Sequence, residues 1–523
     1  MSHPFETWMG APVSRRSLLA STLAFCALPL VNASARRLRD APRALAPFAL
    51  GIASGDPTPT GVVLWTRLAW EPLQDPSIPG IEVPVQWEVA SDERMTRVVK
   101  HGTAMARPAW AHSIHVEVDG LEPDRWYWYR FRVEGHESAI GRTRTLPPAG
   151  APADRLRFGF VSCQHYEQGL FTAYQHLAGE DLDVVFHLGD YIYEGAGNPA
   201  SATGRKHFGA EIVTLADYRV RYAQYKSDEH LQASHAAFPW IVTWDDHEVD
   251  NNYADATSEN LDPDQPFLRR RAAAYQAFYE HMPIRLSSLP KGPWLKIYRQ
   301  FEFGSLASFF VLDTRQYRTN QPCGDGNKVP CAAELDPRAT LLGDAQRHWL
   351  FDGLDRSRTA WNVLPQQVMM ARIDQFSGPE ARFSMDQWPG YELERRRVLE
   401  FLAARPSLNP IVLTGDIHAN YVNDLMLDEA KPASRVVGAE FVVTSISSGG
   451  NGADAPARLP QMLAENPCLR FHNTQRGYVT CEMTPKSVRT DYRVVEYVLR
   501  PGAPISTRAK FVVERGEPGV KGA

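Results

Sequence analysis

Two rhythms of apolar and polar residues divide the chain. From residue 45 to 146 they alternate in short runs (61–67, 85–89, 112–118 and 126–133), with turn residues at close intervals, a pattern that predicts an all-β sandwich over 45–147. Thr145 to Pro152 (T-L-P-P-A-G-A-P) reads as a linker, and the composition shifts there. A second region opens near Asp154. In it, strand-like apolar runs (156–162, 184–188, 240–244, 308–313, 361–364, 411–414 and 441–445) alternate with helix-like ones (170–178, 218–225 and 269–279). That alternation predicts a layered α/β (α+β) domain over 154–523. The chain shows no repeats and no low-complexity tract.

Residues 1–35 break both rhythms. Ser14-Arg15-Arg16-Ser17-Leu18-Leu19 sets paired arginines before an apolar stretch, and Ala33-Ser34-Ala35 offers a small-residue cleavage site. The pattern is that of a twin-arginine signal peptide, which passes an already folded protein to the twin-arginine export machinery. No second apolar stretch is long enough to span a bilayer, so the expected location is periplasmic or extracellular. The 523 residues carry 56 basic and 61 acidic side chains, a net charge of −5 that gives no reason to expect nucleic acid as partner.

The six cysteines fit that route. Cys26 leaves with the signal peptide. Cys323 and Cys331 close a Gly/Asp/Asn/Pro loop, Cys468 and Cys481 flank another short segment, and each pair is a plausible disulfide in an oxidising compartment. Cys163 is left over, either as a small buried hydrophobe or as a reactive or metal-binding thiolate.

The chemistry gathers at strand ends. The run 156–162 stops in Cys163-Gln164-His165, and 183–188 stops in Gly189-Asp190-Tyr191-Ile192-Tyr193-Glu194. The run from Trp240 stops in Trp244-Asp245-Asp246-His247-Glu248, with Asp250-Asn251-Asn252 beyond, and 411–414 stops in Gly415-Asp416-Ile417-His418. Any one of these is read as a turn more readily than as a site. Together they would set thiol, carboxylate, phenol, amide and imidazole on one edge of one sheet, where ligands of α/β sheets collect. Burying so many ionisable groups without a cation would cost roughly several kcal/mol for each unpaired charge, so the set points to bound metal.

The order and spacing of these blocks resemble the metallophosphoesterase superfamily, and more closely its alkaline phosphatase D (PhoD) family. In that family the first block is Ser-Cys-Gln (here Ser162 to Gln164), the third Trp-Asp-Asp-His-Glu (Trp244 to Glu248) and the fourth Thr-Gly-Asp-x-His (Thr414 to His418). Further matching stretches lie at 51–67, 312–318, 364–370 and 445–452, so the resemblance covers about 45–495 and leaves 499–523 unmatched. Residues 120–133 separately resemble an immunoglobulin or fibronectin III-like module.

The family resemblance implies a site holding Fe3+ together with one or two Ca2+. Iron favours thiolate, phenolate and carboxylate, and calcium favours oxygen. Carried over by position, Cys163, Asp190 and Tyr193 are the iron set, with Asp190 bridging. Asp246, Asn252, Asp416 and His418 complete the metal shell, Asn251 being the alternative to Asn252. His247 is the counterpart of a histidine that faces the phosphate, or else a structural partner of Asp245. Arg315 is a phosphate clamp, or else a partner of Asp313. Tyr191 and Glu194 are packing and supporting groups.

The expected activity is hydrolysis of phosphate mono- or diesters, or both, by attack of a metal-activated water or oxide. A phospholipase D-like phosphodiesterase would share the same shell and differ in loops such as 195–209 and 379–390. A non-catalytic secreted binding protein, consistent with the sandwich and 11% aromatic residues, is the distant alternative.

Overall fold

In the computed structural model the described residues are 47–522, apart from 72, 74–79, 377 and 432, and from Ala46 onward they belong to one compact unit. The proposed signal peptide and Cys26 lie outside the described residues.

Two large sheets form the centre. One has ten strands and a parallel middle: Leu156–Val161, Val184–His187, Pro239–Val242 and Ile52–Thr58 run side by side. The other has seven strands, with Ala307–Val311, Trp361–Pro365, Pro410–Thr414 and Val436–Val442 parallel at its core. These short strands are buried along nearly their whole length, as expected of sheets covered on both faces. The sheets meet face to face through an apolar layer. In it the Phe158 ring lies 5.8 Å from that of Phe186 and 5.5 Å from that of Phe309. Helices cover both outer faces. Leu215–Lys226, Glu229–Ala237 and Asp264–His281 pack on the first sheet, and Gly343–Arg356 and Glu392–Ala403 on the second. Helix Leu215–Lys226 starts where its sequence says it should: Thr214 and Asp217 cap it reciprocally.

Residues 47–147 are built of strands, but those strands divide between two sheets. Ile52–Thr58, Gly61–Arg67 and Ser113–Val118 extend the ten-stranded sheet, with Ser54 in parallel register with Pro239. Val83–Ala90, Val98–Ala106, Trp126–Val133 and two short partners make a separate five-stranded sheet. At the far end, residues left unmatched in the sequence form strands Ile505–Glu514 and Glu517–Gly522 on the edge of the ten-stranded sheet.

One disulfide is as expected, Cys323–Cys331, with Cα atoms 5.8 Å apart. The other expectation is corrected: Cys468 and Cys481 are both free and buried. Cys481 faces the layer between the sheets, whereas Cys468 packs in the helix-covered layer outside the seven-stranded sheet, so a sheet separates them.

Candidate metal centre

Three parallel strand ends of the first sheet and one of the second run out at a common edge. The ladder continues past the strands: Cys163 N donates to Gly189 O at 3.0 Å and Gln164 N to Asp190 O at 3.1 Å. An isolated bridge between Ser162 and Ser445 ties the two sheets at that edge. Glu248, fully buried, gathers the turns by accepting backbone N–H bonds from Asp190 (3.1 Å), Tyr191 (2.6 Å) and Asp245 (2.8 Å). Gly189 is required there, because at φ 110° a Cβ would sit 2.4 Å from the Asp245 Cβ. Cys163, Asp190, Asn252, Asp416 and His418 all hold left-handed backbone (φ 51–64°), a strain that persists only where the surroundings impose it.

The donors meet in three overlapping groups, each with its ligand atoms within 4.8 Å of one another: Cys163, Asp190 and His418; Asp190, Asp246 and His247; Asp245, Asp246 and Asp416. The Tyr193 hydroxyl joins the first group, donating to Asp190 Oδ2 at 2.9 Å and lying 3.0 Å from His418 Nε2 and 2.7 Å from Ser448 Oγ. Asn252 N donates to Asp246 Oδ2 at 2.7 Å. Asn251 turns elsewhere, its amide donating to Glu259 at 2.6 Å. The carboxylate oxygens Asp190 Oδ1, Asp245 Oδ2 and Asp246 Oδ1 are buried with no hydrogen-bond partner, the condition that a cation would relieve.

His247 is paired with Glu194 (Nδ1–Oε2 2.7 Å) and not with Asp245. The Arg315 guanidinium is fully buried. Nε donates to Asp245, Nη1 donates to Asp386 Oδ2 at 2.6 Å, and Nη2 lies 3.6 Å from Asp246 and 3.5 Å from Asp416. Asp313 meets Arg315 only through the backbone, accepting its N–H at 3.0 Å.

Sequence reasoning missed the strap that carries Asp386 and Gln387. Asp386 also binds Arg318, and Gln387 Nε2 donates to Asp416 Oδ2 at 2.7 Å. Neither residue follows an apolar run, so no strand-end signal marks them. In a fourth group of possible ligands, His165, Glu167 and His207, Glu167 and His207 are already engaged. Glu167 Oε1 accepts from Asn198 N (2.7 Å) and His207 N (3.0 Å), and both His207 ring nitrogens have partners, so this group secures the 195–209 loop.

Burial dominates the electrostatics. It pushes Asp190 well above the carboxylate range, helped by Asp246 and Glu248, and pushes Asp416 up to about 6 despite Arg315. Burial lifts the Cys163 thiol, with Asp190 adding to it, and drops His418 to about 3. Asp246 moves the other way: burial opposes its charge, but Arg315 and His247 hold it below its usual value. His247 likewise overcomes burial and rises, through Glu194, Asp190 and Asp246. So many acidic groups cannot all ionise together unless positive charge beyond Arg315 and His247 enters the cluster.

The comparisons agree with a phosphate-processing site. The sequence matches the PhoD-like phosphatase family over residues 158–492 and the N-terminal domain of PhoD-like phosphatases over residues 32–147. The chain belongs to that family and is a phosphoester hydrolase. Among its relatives, alkaline phosphatase D of Bacillus subtilis (strain 168) is 54% identical over 479 residues, spanning 91% of this chain and 82% of the relative. The solved structure of PhoD superposes with a TM-score of 0.89 at 52% identity, covering 92% of this chain and 93% of that one.

Proposed function

We propose that the chain is a metal-dependent alkaline phosphatase of the D type, exported by the twin-arginine route, acting on phosphate monoesters, diesters or both. One observation carries the metal reading: three buried carboxylate oxygens without hydrogen-bond partners lie among donors delivered by four separate segments. The donor set fits two kinds of cation. Cys163, Tyr193 and Asp190 suit Fe3+, with His418 beside them, and Asp246, Asn252 and Asp416 suit Ca2+, with Asp190 between the two. When bound, such cations polarise phosphoryl oxygens and lower the pKa of a coordinated water.

The remaining work falls to the protein. Glu194 fixes the His247 ring through Nδ1 and favours its charged form, leaving Nε2 to meet a phosphoryl oxygen or the leaving group. Arg315 and Arg318, held by Asp386, keep the carboxylates at close quarters. Enclosed in this way, Arg315 acts as a positioning residue. No helix among the described residues is long and apolar enough to cross a membrane. The Cys323–Cys331 disulfide fits an oxidising compartment.

Elemental analysis of the native protein, with a mono- and a diester assayed on the same preparation, tests this. The reading expects about one iron per chain, bound calcium and turnover of at least one ester class. Activity without stoichiometric metal would refute it.

A further inference from the structure

The loop closed by Cys323–Cys331 has the sequence C-G-D-G-N-K-V-P-C, and its position gives that sequence a purpose. Gly324 (φ 77°) and Gly326 (φ 81°) flank Asp325 with left-handed backbone, and together they present its carboxylate outward from a tight turn. The carboxylate meets the side-chain amide of Asn252, which donates from Nδ2 to Asp325 Oδ1 at 3.1 Å and Oδ2 at 2.9 Å. The loop is not free to drift. Asn327 and Lys328 pair with Ser384 and Phe383, and Met385 N donates to Gly326 O at 3.0 Å, so it is locked to the strap that brings Asp386 and Gln387 to the centre.

We propose that Asp325 is a positioning residue: it fixes the Asn252 amide so that Oδ1 is the atom offered to the calcium ion. This rests on the reading of Asn252 as a calcium ligand. An ionised carboxylate can only accept hydrogen bonds, so the end of the amide facing Asp325 must be the NH2 group. The other polar atoms of Asn252 are also committed. Its N–H goes to Asp246 Oδ2 (2.7 Å), and its carbonyl accepts from Arg318 Nη2 (2.8 Å) and Gln321 Nε2 (2.9 Å). Oδ1 alone has no partner among the described residues. Groups that orient a metal's ligands in this way govern affinity without touching the ion. Asn251 has its own amide–carboxylate pair with Glu259, but its N–H goes to Glu194, whereas that of Asn252 goes to Asp246, a member of the metal group.

The test measures calcium binding by calorimetry on full-length protein stripped of calcium but retaining iron. Four forms are compared: wild type, Asp325→Ala, Asn252→Asp, and the double variant. Asp325→Ala is expected to weaken calcium about tenfold, with iron content and the melting temperature of the calcium-free protein unchanged. In the Asn252→Asp background the two side-chain oxygens are equivalent and need no orienting, so removing Asp325 is expected to weaken calcium binding clearly less than it does in the Asn252 background. An equal loss in both backgrounds, or no change in either, overturns the proposal. If the wild type itself binds no calcium, the metal reading fails with it, so the two failures are told apart.

Discussion

Two buried polar clusters lie three residues apart along the same segment, and they deal with burial in opposite ways. The cluster at the strand ends, around Asp190, Asp245, Asp246 and Asp416, keeps an excess of acid, encloses one arginine and leaves carboxylate oxygens without hydrogen-bond partners. The cluster around His187 sheds charge instead, although it too leaves His187 Nε2 and His235 Nδ1 buried without hydrogen-bond partners. Burial drops His187 to about 3 and His235 well below its usual value, with Lys226 adding to both. His235 Nε2 pairs with the Tyr191 hydroxyl at 2.8 Å. The Lys226 ammonium rests 4.2 Å from the Trp65 ring and 5.2 Å from Tyr191. Both clusters are largely buried, although Asp416 keeps some exposure. One has found a neutral form that packs, and the other has no such form without added positive charge. The neutral cluster is structural, and the acidic one is where we propose that cation and phosphate bind.

The largest test of that contrast removes the thiol. Cys163→Ala is expected to lose iron and about 1000-fold in kcat/KM, roughly 4 kcal/mol of transition-state stabilisation, as read by metal analysis and steady-state kinetics. Wild-type iron in that variant would make Cys163 an ordinary core residue. Next comes Arg315→Met, which strips the acid cluster of its internal counter-charge. In metal-depleted protein it should cost about 3 kcal/mol of stability, and saturating calcium should restore more of the melting temperature in the variant than in the wild type.

His247→Gln should lower kcat by about 100-fold while iron and calcium contents stay at wild-type levels. That combination separates a group facing substrate from one holding metal. The smallest effect belongs to the neutral cluster. Burial lowers Lys226 from 10.5 to about 7, so between those values the unfolded chain binds a proton that the folded one does not. Stability therefore rises with pH from about 7 to about 10. Lys226→Met should flatten that rise in a series of melting curves, and should raise stability near pH 7 by about 1 kcal/mol.

What the sequence disclosed, and what it withheld, follows from how each residue reaches the edge. Cys163, Asp190, Asp246 and Asp416 each follow a run of buried residues, and a strand that ends is visible as a pattern. Asp386, Gln387 and Asp325 arrive on loops whose course is set by a disulfide and a two-residue strand pairing, and nothing periodic announces them. Arg315 was legible as a site residue but not as the counter-charge of four carboxylates, because all four come from three other segments. The Cys468 and Cys481 pairing failed because nearness along the chain says nothing of the sheet between them. The strand at 505–514 shows period-two alternation that could have been read. The division of the N-terminal strands between two sheets could not, since the same alternation suits either sheet.

The most direct measurement is the visible absorption spectrum of freshly purified, active enzyme beside that of Tyr193→Phe. A tyrosinate-to-iron charge-transfer band in the wild type, lost in the variant along with activity, is the result this account predicts. A colourless wild-type preparation with full activity would contradict it.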